Sequence, residues 1–194
     1  MTTAAVHFIT HPDVVIDPAV PVPRWRLSPR GLDRMRAAAR LPWMREARSL
    51  YCSREQKALD GAAVLAATLG LEPVSLEGLG ENDRSASGFL EREEFERVAD
   101  EFFARPSESV RGWERAVDAQ ARVAAAVEEV LAGAPPGNVL IVSHGAVGAL
   151  LLCRLGGRPI SRADDQPPTN GGNYLAFERE SRRVLKGWTS LEED

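Results

Sequence analysis

The 194-residue sequence has few cysteines, few lysines and no long hydrophobic run. Its two cysteines, Cys52 and Cys153, show no spacing typical of a metal or redox pair, so we interpret them as free thiols in a reducing compartment. No window approaches the roughly 18 consecutive apolar residues of a transmembrane helix, and the N-terminus lacks the basic and apolar regions of a signal peptide. These absences predict a cytoplasmic protein with no membrane partner.

Positive charge is not in excess either. The formal net charge is -4, from 24 basic and 28 acidic residues. Proteins that bind nucleic acids or anionic membranes usually carry a basic excess or stripe, so we expect no nucleic-acid partner. The length and the hydrophobic fraction of 44% are typical of a chain that forms a single core. We therefore predict one domain over residues 1–194.

Strand and helix patterns alternate along the chain. Apolar or alternating stretches predict strands at residues 4–10, 49–53, 72–76 and 139–142, and two more within 173–189. Periodic apolar positions predict helices that start at residue 28 and at residue 53, and further helices over 91–104, 110–132 and 146–155. Such alternation implies a mostly parallel sheet with helices on both faces. The predicted fold class is α/β, a three-layer α/β/α sandwich with an antiparallel edge strand.

Local signals indicate where helices start and where loops lie. Ser28 followed by Pro29 is typical of a helix start, and Ser53 with Gln56 matches a capping box. The proline-rich segment 17–24 is incompatible with a helix or a central strand, so we expect a loop there. We interpret residues 80–108 as an insertion that covers another part of the molecule. "DQPPTNGGNY", at 165–174, is interpreted as a turn-rich connection.

Two histidines directly follow predicted strands. His11 ends the first strand, and His144 ends the most apolar one. In parallel sheets, ligands bind outside the carboxyl ends of the strands. We therefore expect both imidazoles at one edge of the sheet, in a binding site. His7 lies in the middle of a strand, and we expect it to be a core residue.

Six segments, in order along the chain, resemble motifs of the histidine phosphatase superfamily, which includes the cofactor-dependent phosphoglycerate mutases. The family opens with an apolar strand that ends in Arg-His-Gly, where this chain has Thr10-His11-Pro12. "VLIVSHG" at 139–145 is close to the strand that carries the family's second catalytic histidine, and it is the most specific match. The remaining segments are "LSPRG" at 27–31, "YCSREQKALDGA" at 51–62, "LGE" at 79–81 and "ESVRGWERAVD" at 108–118. The resemblance covers nearly the whole chain and implies a phosphoglycerate mutase-like fold.

The resemblance also implies a phosphatase that needs no metal or other cofactor. His11 would attack phosphorus and form a phosphohistidine, since a neutral imidazole is a good nucleophile. His144 would stabilise the transferring phosphoryl group, together with unpaired N–H groups of the helix from residue 146. Glu81 would protonate the leaving alkoxide and then activate water. The residues expected to bind the phosphate are Thr10, Lys57, Gly145, Arg84 and Arg54.

The chain departs from the family pattern at three positions. Thr10 and Lys57 stand where the family has arginines, and Pro12 stands where it has glycine. Lysine keeps the charge but loses the bidentate fork, and threonine keeps only a hydroxyl. Each lost charge-assisted contact costs about 1.5–3 kcal/mol, or roughly tenfold to a hundredfold in rate. Arg54 and Arg84 are candidates to compensate.

Three classes of function are open at this point. The first is a phosphatase acting on a small phosphorylated metabolite or a phosphoprotein; mutase activity is disfavoured because arginines are missing at expected positions. The second is a degenerate family member that binds a phosphorylated ligand or partner without turnover, an interpretation that Thr10 and Pro12 favour. The third is a metal-dependent hydrolase using His11, Asp13, His144 and a further carboxylate, which the lack of His-x-His or His-x-x-x-His spacing disfavours. No signal indicates the substrate or an oligomeric state.

Overall fold

A single six-stranded sheet organises the computed structural model, which describes residues 4–193. Its strands are β1 (Ala5–Thr10), β2 (Ala47–Ser53), β3 (Pro73–Leu76), β4 (Asn138–Ser143), β5 (Asn173–Glu178) and β6 (Val184–Ser190). Their order across the sheet is β3-β2-β4-β1-β5-β6. The first four strands in this order pair in parallel, whereas β5 is antiparallel to β1, and the edge strand β6 is antiparallel to β5. The predicted mixed sheet is therefore confirmed.

Helices cover both faces of the sheet, as the alternating pattern predicts. They are α1 (Pro29–Ala38), α2 (Pro42–Arg45), α3 (Gln56–Leu69), α4 (Arg92–Ala104), α5 (Ala116–Gly133) and α6 (Gly145–Leu155). One apolar cluster joins the sheet to α4, α5 and α6, and a second joins it to α1 and α3. None of the helices in residues 4–193 is long and apolar enough to cross a membrane.

The central strands divide their side chains between the two apolar clusters. On β1, Phe8 belongs to the α5/α6 cluster and Ile9 to the α1/α3 cluster. On β4, Ile141 and Val142 are divided in the same way. This alternation explains the unbroken apolar run of β4, because a strand that is buried on both faces needs apolar residues at every position. It also places Thr10 on the same face as Phe8, the face that α6 covers.

The prediction of one helix over 110–132 is wrong at its start. Residues Val110–Gly112 form a separate 3-10 turn, and α5 begins only at Ala116. Arg111 and Gly112 have φ angles of 55° and 77°, a left-handed backbone that a continuous helix does not allow. The apolar periodicity begins before the helix because Trp113, which precedes α5, packs into the same cluster as α5.

The two predicted helix starts have different outcomes. Ser28 caps α1 as predicted, since its hydroxyl accepts a hydrogen bond from the Gly31 N–H (3.1 Å). The capping box of Ser53 and Gln56 is wrong, because α3 begins at Gln56 and Ser53 is the last residue of β2. The Gln56 amide donates instead to Asp60 (2.8 Å). The Ser53 hydroxyl does not cap α3 and contacts His144 instead.

Candidate active site

The two strand-end histidines meet at one edge of the sheet. Strands β1 and β4 pair in parallel, with Thr10 opposite Ser143, so His11 and His144 follow neighbouring strand ends. Their ring centroids are 5.2 Å apart, with an angle of 68° between the ring planes. His7 lies in the body of β1, where its buried ring stacks on Trp43 at 4.3 Å.

Hydrogen bonding of the His11 ring determines which of its two nitrogens is unprotonated. Its Nδ1–H donates to the carbonyl oxygen of Pro12 (2.9 Å), which leaves the lone pair of a neutral ring on Nε2. Burial, helped by the charge of Lys57, lowers the pKa of His11 from 6.5 to about 4. The imidazole is therefore neutral at pH 7, the state in which Nε2 is a nucleophile.

His144 is fully buried and contacts the end of β2. Its Nε2 lies 2.8 Å from Ser53 Oγ and 3.5 Å from Glu55 Oε1. Because the Ser53 hydroxyl already accepts from the Glu55 N–H (3.1 Å), its own proton is available for His144 Nε2. Burial lowers the pKa of His144 well below its usual range, although Glu55 acts in the opposite direction. Its other nitrogen, Nδ1, has no partner within residues 4–193.

Glu81 lies at the N-terminus of α6. Its carboxyl group accepts hydrogen bonds from the N–H groups of Ala146 (3.3 Å) and Val147 (3.1 Å). The expectation that these N–H groups are unpaired is therefore wrong, because the Glu81 carboxyl group, near the start of the segment 80–108, accepts their hydrogen bonds. Burial raises the pKa of Glu81, against the opposing charge of Arg84 and the two N–H bonds.

Lys57 is buried beside a carboxylate that sequence reasoning missed. Its ammonium group donates to the Val22 carbonyl (3.0 Å) and forms an ion pair with Glu55. The other Glu55 oxygen accepts from the Glu81 N–H (2.8 Å). Although burial acts to raise it, the pKa of Glu55 is lowered to about 2 by His144, Lys57 and these hydrogen bonds. Glu55 is thus an anion in the site and offsets the charge of Lys57.

Thr10 and Gly145 share a neighbour that sequence reasoning also missed. The buried Thr10 hydroxyl donates to Gln166 Oε1 (2.8 Å). The Gln166 side chain also packs on Gly145, the first residue of α6, where a Cβ would lie 2.2 Å from Gln166 Nε2. No sequence motif marks Gln166, since it lies in the segment interpreted as a connection.

Arg54 and Arg84 lie on the wall of an adjoining cleft. Arg54 is exposed and lies 3.4 Å from Glu77. The Arg84 guanidinium lies over the rings of Phe95 (5.0 Å) and Trp113 (5.6 Å). The cleft has a volume of about 870 Å³ and is lined by residues 18–23, 53–55, 77, 80–85, 88 and 89. It joins the histidine site through Ser53, Glu55 and Glu81.

Asp13, one of the ligands of the third alternative, is engaged elsewhere. Its Oδ2 accepts from the Arg34 guanidinium (2.8 Å), and Arg34 also donates to the Gly171 carbonyl (3.0 Å) and pairs with Glu192. Across residues 4–193, no group of three or more His, Cys, Asp or Glu side chains is arranged to hold a metal ion.

Comparisons with known proteins agree with this architecture. A mycobacterial glucosyl-3-phosphoglycerate phosphatase, in complex with inorganic phosphate, is 22% identical, with a TM-score of 0.77 over 97% of this chain and 99% of its own. Bacillus stearothermophilus YhfR is 20% identical, with a TM-score of 0.75 over 94% of each chain. The alpha-ribazole phosphatase from Shigella flexneri is 17% identical, with a TM-score of 0.72 over 96% of each chain. At these identities the likeness shows the fold.

Comparison of the sequence with protein-family models identifies the family of this chain. No curated protein matches the chain. The model of the histidine phosphatase superfamily, branch 1, matches residues 22–190. This match confirms the family resemblance and includes five of the six motif segments, whereas Thr10-His11-Pro12 lies before the matched residues. It supports phosphatase activity in general. The chain belongs to the histidine phosphatase superfamily.

Proposed function

We propose that this protein hydrolyses phosphomonoesters through a phosphohistidine on His11. The observation that carries the proposal is the pair of imidazoles at one sheet edge, 5.2 Å apart, with His11 Nδ1 bonded to Pro12 so that Nε2 is the nucleophilic atom. A pKa of about 4 for His11 supports attack by the neutral ring at pH 7. Family membership supports the same class of reaction.

The chemistry proceeds in two displacements. In the first, His11 Nε2 bonds to phosphorus, the P–O bond to the alcohol breaks, and Glu81 gives its proton to the leaving oxygen. In the second, Glu81 takes a proton from a water that attacks the phosphohistidine, and inorganic phosphate leaves. The raised pKa of Glu81 suits the first step, because a carboxyl group must hold a proton to act as an acid.

His144 has the role of a hydrogen-bond donor. The proposal places the ring's own proton on Nδ1, the atom without a partner within residues 4–193, with Nε2 accepting from the Ser53 hydroxyl. A neutral donor in a buried site stabilises charge that develops on the phosphoryl oxygens. In this arrangement Ser53 is a positioning residue for the His144 ring.

The cleft favours a small phosphorylated metabolite over a phosphoprotein. A volume of about 870 Å³ is typical of small-molecule sites, which are concave and mostly apolar. Its proline-rich wall at residues 18–23 and Phe89 would contact apolar parts of the leaving group, and Arg84 would contact an acceptor. Two structural neighbours are named as phosphatases of small molecules.

A second candidate is a protein that binds a phosphorylated ligand without turnover. The observation that favours it is the ion pair between Lys57 and Glu55, which leaves this part of the site without net positive charge. The loss of guanidinium groups at positions 10 and 57 points the same way.

Quenched-flow labelling separates the two candidates. Purified protein is mixed with a ³²P-labelled phosphate ester in the presence of a chelator, and acid-labile, base-stable label on the protein is measured. We expect labelling of the wild type, none of His11→Gln, and wild-type labelling of the control His7→Gln, which changes a histidine of the same strand in the core. Phosphate binding without label favours the second candidate, and turnover by His11→Gln would contradict the mechanism.

A further inference from the structure

We infer that Gln166 donates a hydrogen bond to the phosphoryl group, as a substrate-binding residue beyond the histidines and Glu81. The inference rests on the proposed function, because it assigns a ligand to the site between the two imidazoles. Three observations carry it: the orientation of the Gln166 amide, its place in the site, and the engagement of several nearby donors by other groups.

The orientation of the amide follows from a chain of hydrogen bonds. The backbone N–H of Asn173, which can only donate, lies 3.0 Å from Thr10 Oγ1. The Thr10 hydroxyl therefore accepts there, and its own proton has two acceptors within reach, Gln166 Oε1 at 2.8 Å and the Asn173 carbonyl oxygen at 3.3 Å. The shorter contact is the one to Gln166, so the atom of Gln166 that faces Thr10 is Oε1. The Asn173 side-chain amide, 3.0 Å away, donates to the same oxygen.

Nε2 of Gln166 consequently points away from Thr10. It packs against Gly145, where any side chain beyond hydrogen would collide with it at 2.2 Å. Within the part of the chain that the structure describes, Nε2 makes no hydrogen bond, although the side chain is half-buried. A half-buried amide that is held by its oxygen alone keeps its N–H groups available to a ligand.

The position of this amide links the two catalytic histidines. Thr10 immediately precedes His11, and Gly145 immediately follows His144. A side chain that touches both residues lies between the ends of β1 and β4, on the face that α6 covers. An anion bonded to His11 and His144 would have its oxygens next to this amide.

Several donors near the histidines are already engaged, whereas Arg84 lies on the wall of the adjoining cleft. Glu81 accepts from the N–H groups of Ala146 and Val147. Lys57 is paired with Glu55 and bonded to Val22. A phosphoryl group needs several donors around its oxygens, and Gln166 Nε2 offers two N–H groups without an added charge.

The test uses an isosteric exchange of amide for carboxylate. In Gln166→Glu, both oxygens accept, so the bonds from Thr10 and Asn173 are kept while the donor is lost. The control is Asn170→Asp, the same exchange on the same loop at an exposed residue. Orthovanadate and inorganic phosphate serve as probes, with dissociation constants measured by calorimetry and melting temperature measured alongside. We expect Gln166→Glu to bind vanadate roughly tenfold to a hundredfold more weakly, and Asn170→Asp to bind as the wild type does.

A second variant keeps the test informative if Gln166→Glu fails to fold. Gln166→Ala empties the space above Thr10, and Thr10→Arg with Gln166→Ala places a guanidinium there. We expect the double variant to bind vanadate more tightly than Gln166→Ala. Equal vanadate affinity in the wild type and Gln166→Glu would overturn the inference about Gln166 and leave His11 chemistry standing. A wild type that neither binds vanadate nor forms phosphohistidine would overturn both proposals.

Discussion

At the scale of single residues, the distribution of charge among Lys57, Glu55, His11 and His144 sets what the site binds. The two imidazoles are neutral at pH 7, since the pKa of each is lowered by burial. Lys57 carries the positive charge, and Glu55 offsets it within an ion pair. Under the proposed function, the site would therefore bind an anion through directed hydrogen bonds more than through net charge.

Replacing Glu55 by glutamine should strengthen anion binding. The Glu55→Gln change removes a negative charge and keeps an acceptor for the Glu81 N–H. Charges a few ångströms apart inside a protein interact by a few kcal/mol, so we expect the affinity for inorganic phosphate to rise about tenfold. Calorimetric titration at pH 7 measures it, with Glu77→Gln as the control on an exposed residue of the cleft wall. Weaker binding by Glu55→Gln would show that Glu55 holds the site together more than it repels the ligand.

At the scale of elements, the loop between α6 and β5 supports the loop that carries His11. The Gly172 N–H donates to the Thr10 carbonyl (3.2 Å), and Arg34 of α1 bonds both Asp13 and the Gly171 carbonyl. Gly171 lies directly on the backbone of His11, with φ of 73°. A Cβ at this position would lie 2.0 Å from the His11 carbonyl oxygen.

Gly171→Ala should displace His11 and reduce turnover. We expect at least a hundredfold loss of kcat, because a misplacement of about 1 Å in a reacting group costs about that much. Gly157→Ala is the matched control: its φ of 62° is also left-handed, but among residues 4–193 no atom other than those of its chain neighbours lies within 4 Å of its added Cβ. Both variants should lose about 1 kcal/mol of unfolding free energy from the backbone angle alone. Equal kcat in the two variants would contradict a supporting role for the loop.

At the scale of the whole molecule, the buried titratable groups of the site make the free energy of unfolding depend on pH. The folded pKa of His11 is about 4 against an ordinary 6.5, so the unfolded chain binds a proton more readily between these values. Stability is then lost as the pH falls from 6.5 to 4, and His144 acts in the same direction. The Glu55 contribution is present above pH 4.5 and is lost toward pH 2. Glu81, with a raised pKa, opposes the histidines above pH 4.5.

We therefore expect the free energy of unfolding to fall between pH 6.5 and pH 4. Each histidine contributes at most about 1.4 kcal/mol per pH unit. Urea denaturation at several pH values measures the slope, and His11→Gln should make it shallower because the residue no longer titrates. A slope that is identical in the wild type and His11→Gln would show that His11 titrates alike in the folded and unfolded states.

The sequence predicts the frame of the site because that frame depends on local patterns. The apolar runs before His11 and His144 determine two buried strands, and parallel pairing brings their ends together. The sequence does not predict the roles of Glu55, Ser53 and Gln166. These roles depend on contacts with residues of distant elements. Ser53 matches a capping box, yet its hydroxyl bonds to His144, which lies 91 residues further along the chain. The packing of Gln166 on Thr10 across 156 residues leaves no periodic signal.

The hydrogen bonds between Glu81 and the start of α6 have a consequence for the timing of the reaction. Under the proposed mechanism, Glu81 turns from a neutral acid into an anion when the alcohol departs. The two N–H groups and the positive end of the helix dipole then face a full negative charge, which they stabilise more strongly than the neutral group. The N-terminus of α6 thus stabilises the deprotonated Glu81 carboxylate. This stabilisation ends when Glu81 takes a proton from the attacking water.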